Sequence, residues 1–241
     1  MKLSAPLYRL RHRARLLSRR ERMPLHQALD QIAAEEGYSR WSLLVAQTPA
    51  PARLLLPRLS EGDLLLLGAR PGQGKTQLGL ELLVAAMRAG RRAVFFTLEY
   101  NLGELLDLLR RIGEDPAEFD GCFEFNDGDG INADSIQRRL AGASRGTLAV
   151  IDYLQLMDQK RTDPLLEEQI LKIREFARQR GLTLVFLSQI DRSFDSRAGR
   201  CPGRTDVRLP NPLNLDLFDK SCFLHDGNLA FASADAASAS Q

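Results

Sequence analysis

The chain has 241 residues, 44% of them hydrophobic and 27% charged, the balance of a globular protein with a real core. That length fits one domain with an appendage, or two small domains. No uncharged apolar stretch reaches the ~18 residues a membrane span needs. Three scattered cysteines (Cys122, Cys201, Cys222) do not make a disulfide framework, so a reducing cytoplasm is the expected setting.

The net charge of +2 is unevenly placed. Lys2, Arg9, Arg11, Arg13, Arg15, Arg19, Arg20 and Arg22 face a single acid, Glu21, within residues 1–22, which leaves the rest of the chain mildly acidic. Residues 6–22 read as a basic helix with Leu7, Leu10, Leu16 and Leu17 on an imperfect apolar face. Pro24 fits the first turn of a second helix, which carries Leu25, Ala28, Leu29, Ile32 and Ala33 and ends at Gly37. A short third helix runs through Trp41, and Trp41 is expected to anchor this small helical core rather than to stack on bases. The proline-rich stretch after it sets the domain plan: a basic helical segment at 1–47, a linker at 48–59, a nucleotide-binding domain at 60–232 and an Ala/Ser-rich tail at 233–241.

From residue 60 onward, apolar strands alternate with helices. Strands are expected at Asp63–Ala69, Arg92–Leu98, Cys122–Phe125, Thr147–Asp152 and Leu182–Ser188. Helices are expected from the glycine-rich loop to Arg88, and at Leu102–Ile112, Asp134–Ala141 and Leu165–Arg180. A terminal hairpin is expected around Asp226-Gly227. Buried strands separated by helices predict a mostly parallel α/β sheet covered on both faces.

The strongest motif is Ala69-Arg70-Pro71-Gly72-Gln73-Gly74-Lys75-Thr76, between a strand and a helix. Backbone N–H groups can wrap phosphate oxygens only where side chains are small, as at Gly72 and Gly74, and the helix N-terminus adds its dipole. Lys75 is placed to reach the β- and γ-phosphates of a nucleoside triphosphate, and Thr76 to ligate Mg²⁺. Arg70 and Gln73 are expected only to shape the loop. Ala69 replaces the usual first glycine.

Asp152 ends the apolar strand Leu148–Ile151 and, beside the P-loop strand, could hold Mg²⁺ through its water shell. Glu99 ends another strand, where it could accept a proton from an attacking water or simply cap the next helix. Gln189 ends the Phe186-Leu187-Ser188 strand, where it could sense a γ-phosphate or be an ordinary polar strand tip. Cys222 and His225 have the spacing of half a zinc site, and no second half accompanies them.

Together, Ala69-Arg70-Pro71, Thr97-Leu98-Glu99, Ile151–Met157 and Leu187–Ser193 resemble the RecA-like ATPase domain of DnaB-type replicative helicases over about residues 60–227. The resemblance implies a RecA fold with ATP and Mg²⁺ as cofactors, Glu99 as catalytic base, Asp152 on the metal and Gln189 as γ-phosphate sensor. Asp191 stands where that family usually has Asn. A hairpin of the family presents Lys and Arg to a neighbour's site, whereas here neither follows Lys220. The stretch Asp206-Val207-Arg208 resembles its DNA-contacting loop, after which Pro210 and Pro212 replace small polar residues. Residues 1–47 stand in place of its N-terminal collar.

Arg9, Arg11, Arg13, Arg15, Arg19, Arg20 and Arg208 are the candidate nucleic-acid contacts, acting by phosphate neutralisation. A transit peptide and a plain solvated helix face are the other readings of the N-terminal run. The expected activity is a DnaB-helicase-like ATPase acting on DNA, single-stranded DNA above all. An ATP-gated switch or loader without unwinding is the alternative, and a P-loop kinase a third possibility. Ring, filament and monomer all stay open, although RecA-type sites imply a homo-oligomer. No membrane partner is expected.

Overall fold

The structure, a computed structural model, describes residues 3–5, 7–47, 51–128, 130–158, 164–194, 201–209, 211–225 and 228–232. The Ala/Ser tail at 233–241 and the hairpin turn Asp226-Gly227 lie outside the described residues.

Three helices open the chain: α1 (Leu7–Arg20), α2 (Leu25–Glu35) and α3 (Trp41–Gln47). They bury Leu10, Ala14, Ala28, Ile32, Trp41 and Leu44 in a small core of their own. Trp41 is the anchor expected of it, 9% exposed, with its backbone N–H donating to Asp30 at 2.9 Å. The expected linker is structured over its described part. Residues Pro51–Leu55 form α4 and Leu56–Arg58 a 3₁₀ turn, and Ala52, Leu55 and Leu59 pack into the next domain. Their apolar side chains, not the prolines, decide this: burial outweighs the turn preference of Pro51 and Pro57.

The strands are β1 (Leu64–Ala69), β2 (Ala93–Thr97), β3 (Phe123–Asn126), β4 (Leu148–Asp152), β5 (Thr183–Gln189), β6 (Lys220–His225) and β7 (Asn228–Ala232). They form one sheet in the order β3-β2-β4-β5-β1-β6-β7, parallel except for the β6–β7 hairpin. The intervening helices are α5 (Lys75–Arg88), α6 (Leu102–Arg111), α7 (Ala133–Leu140) and α8 (Leu166–Arg180).

Alternation along each strand feeds two cores. Leu64, Leu66, Val94, Phe96, Ala149, Ile151, Leu184 and Phe186 face α7 and α8, while Leu65, Leu67, Phe95, Val150, Val185 and Leu187 face α4, α5 and α6. A sheet covered on both faces is what continuous apolar strands require. Asn101 and Glu104 close a capping box on α6, Asn132 and Ser135 another on α7, and Gly181 ends α8 at φ 65°. At Gly79 an added Cβ would meet Val150 at 3.1 Å and Leu187 at 3.2 Å, which shows how closely α5 lies on the sheet. Among the described residues, no helix is long and apolar enough to cross a membrane.

Candidate nucleotide site and its surroundings

Register gathers the motif residues at one edge of the sheet. Ala69 pairs with Gln189, and Thr97 pairs with Asp152, all at the C-terminal ends of parallel strands. Open α/β sheets bind ligands at this edge. One expectation needs correcting: β4 is not beside the P-loop strand, because β5 lies between them. Asp152 reaches the loop across β5, since Lys75 and Thr76 begin α5, which crosses that face of the sheet.

The loop itself turns through Gly72 at φ 78° and Gly74 at φ 85°, conformations that side chains disfavour. A Cβ built at either glycine meets nothing within 4 Å, so both open onto free space. Lys75 Nζ is paired with Asp152 Oδ1, and Thr76 Oγ1 donates to Asp152 Oδ2 at 2.7 Å. The Asp152 side chain is fully buried and that of Lys75 only 11% exposed. Lys75 Nζ also lies 5.0 Å from the Tyr153 ring centroid. Arg70 Nη1 donates to the Phe194 carbonyl at 3.3 Å and ties the loop to the segment after β5.

Glu99 lies two residues beyond β2, which stops at Thr97, and its N–H donates to Thr97 Oγ1 at 3.0 Å. It is not the helix cap, since Asn101 fills that position. Burial raises the Glu99 carboxyl above its ordinary value, and the Asp152 charge adds to this while Lys75 opposes it. Glu99 therefore stands within electrostatic reach of the Lys75–Asp152 pair.

Tyr100 is a neighbour that the motifs did not single out. Burial, then the charges of Asp152 and Glu99, raise the pKa of its hydroxyl, and Thr76 and Arg111 oppose this. The cue in the sequence is only its place next to Glu99.

Gln189 is half-buried at the tip of β5. Its carbonyl accepts from the Arg208 N–H at 2.8 Å, and Ile190 bridges to Val207 in antiparallel fashion. The segment resembling a DNA-contacting loop thus hangs from the end of the expected sensor strand. Between Asp191–Ser193 and Thr205–Leu209 lies a polar cavity of about 420 Å³. Arg208 is exposed, whereas Pro210 lies outside the described residues.

The N-terminal arginines are not equivalent. Arg13 pairs with Glu35 at 2.6 Å and Arg20 with Glu21 at 2.8 Å. The Arg11 guanidinium lies 5.9 Å from the Trp41 ring centroid and within electrostatic range of Glu81 on α5. Arg15 and Arg19 are exposed and make no ion pair among the described residues. The Arg9 side chain lies outside the described residues. At the other end of the chain, burial pushes the Cys222 thiol up to about 12, which disfavours the thiolate a metal would need.

The donor set suits a hard cation that is shared with phosphates. Thr76 and Asp152 offer oxygen ligands, and Mg²⁺ is commonly held by one or two carboxylates plus substrate phosphates. No group of three or more His, Cys, Asp or Glu side chains that could hold a metal by themselves exists among the described residues.

Residues 125–224 match the DnaB-like helicase C terminal domain family. The chain resembles the DnaB-type helicases. It is 29% identical to the replicative DNA helicase DnaB of Helicobacter pylori (strain J99 / ATCC 700824) over 199 residues, which cover 70% of this chain and 41% of that protein. Identity to the DnaB of Buchnera aphidicola subsp. Acyrthosiphon pisum (strain APS) is 27%, covering 66% of this chain and 42% of that one. A probable plasmid replicative DNA helicase of Chlamydia psittaci is 25% identical, covering 69% and 43%. The chain therefore spans about two fifths of the length of the curated relatives it matches. Among solved structures, a KaiC-like protein of Pyrococcus horikoshii OT3 superposes with TM-score 0.52 at 19% identity, over 72% of this chain and 79% of that one. The DnaB-like region thus has a RecA-like fold, a mostly parallel α/β sheet.

Proposed function

We propose that this chain is a Mg²⁺-dependent, DnaB-helicase-like ATPase that acts on DNA in the cytoplasm. The observation that carries the proposal is the convergence of Lys75, Thr76 and Asp152 on one another beside Glu99, at the mouth of a glycine loop that opens onto free space.

Bound ATP would set its phosphates in competition with Asp152 for Lys75, with the backbone N–H groups of Gly72, Gly74, Lys75 and Thr76 around them. Thr76 and Asp152 would hold Mg²⁺, which would neutralise charge on the transferred phosphoryl group. Glu99 accepts the proton of the attacking water, and a carboxyl raised toward neutrality is better matched to that task than an ordinary one. Gln189 reports whether the γ-phosphate is present. The expected partner is DNA, single-stranded DNA above all, held by Arg15, Arg19 and Arg208. A homo-oligomer follows from sites that RecA-type ATPases complete with a neighbour. Residues 1–47 are a basic helical module, attached through residues 48–59 to the ATPase domain at 60–232.

A second proposal, an ATP-gated switch or loader with slow hydrolysis and no unwinding, is favoured by the β6–β7 hairpin, whose residues 221–232 include no Lys or Arg. An arginine finger contributes about 10³–10⁵ in rate, so its source decides between a motor and a switch. Steady-state ATPase assays with and without single-stranded DNA test both. Stimulated turnover that Glu99→Gln abolishes supports the motor; ATP binding without stimulated turnover supports the switch. No ATP binding at all refutes both.

A further inference from the structure

Two residues after Asp152 the chain enters a 3₁₀ segment, Leu154–Asp158, in which Gln155 is only 9% exposed. Its carboxamide is divided between three partners. Nε2 donates to Ser188 Oγ at 3.0 Å and to the Arg208 carbonyl at 2.6 Å, while Oε1 accepts from the Gln189 N–H at 3.4 Å. The orientation is dictated by chemistry. Gln189 offers a backbone donor and Arg208 a backbone acceptor, so a flipped amide would set like against like.

One side chain therefore joins the end of the Asp152 strand, the tip of the Gln189 strand and the Arg208 segment. The Arg208 N–H bond to the Gln189 carbonyl and the Ile190–Val207 bridge complete the tie. A shift of the Gln189 backbone toward a bound phosphate would strain its N–H bond to Gln155, and Gln155 in turn bonds the Arg208 carbonyl. Segment 205–209 lines one side of the adjoining open polar cleft of about 420 Å³.

We propose that Gln155 is a positioning residue that transmits the nucleotide state of the Gln189 tip to the Arg208 segment. The proposal rests on the nucleotide-binding role given to residues 69–76. Such a coupling is reciprocal: whatever engages Arg208 must alter nucleotide affinity by the same factor.

Hydrogen exchange of the full chain, with and without Mg²⁺ and a non-hydrolysable ATP analogue, tests it. The parent is compared with Gln155→Glu and Gln155→Met. Gln155→Glu keeps the acceptor for Gln189 and turns the donor facing Arg208 into another acceptor. Gln155→Met keeps the volume and removes both. In the parent the analogue is expected to change exchange at Val207 and Arg208 by about fivefold, the low end of ordinary coupling. In both variants that response disappears, while analogue affinity stays within about a factor of two, since the Gln155 bonds go to Ser188, Gln189 and Arg208. A merely structural tie predicts otherwise: lower stability and faster exchange in both states, with the nucleotide response preserved. That pattern overturns the coupling role, as does a parent that binds the analogue without any change at 207–208. If the parent does not bind the analogue, the nucleotide reading falls, and this proposal with it.

Discussion

Replacing Lys75 by Met keeps most of the side-chain volume and removes the ammonium that faces Asp152. The Asp152 carboxylate is fully buried and is left with the Thr76 hydroxyl at 2.7 Å. Breaking a buried pair by removing one partner costs about 3–5 kcal/mol. The surviving hydrogen bond and the slight exposure at Lys75 reduce this to about 2–3 kcal/mol. Asp152→Asn strands the ammonium instead, but its flexible stem lets it turn toward solvent, so the loss is about 1–2 kcal/mol. Removing both charges leaves nothing stranded, and the double variant should lose only about 1–2 kcal/mol, giving a coupling of about 2–3 kcal/mol. Urea unfolding without nucleotide reads these values. With a slope of about 2–3 kcal/mol per M, Lys75→Met lowers the midpoint by about 1 M and the double variant by less. If the two single losses simply add, within about 0.5 kcal/mol, the charges do not compensate one another and the picture of the site is wrong.

Glu99 must be ionised to accept a proton, and burial places its carboxyl above the ordinary 4.5, so the acid limb of the kcat/KM–pH profile should lie above that value. Because the folded pKa is raised, ionising Glu99 costs stability as pH rises through it; Glu99→Gln should lower kcat by about 10²–10⁴ without destabilising the fold at neutral pH, and an acid limb at or below 4.5 contradicts this. An alanine at Gly68 would place a Cβ 2.7 Å and 2.8 Å from Phe223 ring carbons and 3.1 Å from Ile190. The overpacking should cost about 1–3 kcal/mol and lower Tm by several degrees, whereas an unchanged Tm would show that the Phe223 ring does not lie as tightly over Gly68 as these distances require. Replacing Arg15 and Arg19 by Ala should weaken single-stranded DNA binding and flatten its salt dependence by about 0.7 in log–log slope for each phosphate no longer neutralised; an unchanged slope removes α1 from the DNA interface.

Much of this protein was legible in one dimension, because the physics concerned is local. Glycines at 72 and 74 followed by Lys75 and Thr76 describe a backbone that can cradle phosphate, whatever surrounds it. Apolar strands alternating with helices required a parallel sheet covered on both faces, and the folded chain has that sheet. Other features depended on strand order and register. Nothing in the sequence placed β5 between β1 and β4, so the distance Asp152 spans to reach Lys75 was not readable. The linker prolines concealed the apolar residues of α4, whose burial depends on a groove beside α5 that exists only in the folded chain. The same holds for Glu99, where strand end and helix cap were equally good until Asn101 was seen to occupy the cap. Gln155 lay within the Ile151–Met157 motif without a role of its own, since a glutamine becomes a tie only when donors and acceptors distant in sequence converge on it. Local composition thus determined the loop and the class of fold. The tertiary structure decided which charges meet, because partner choice depends on distances that only packing establishes.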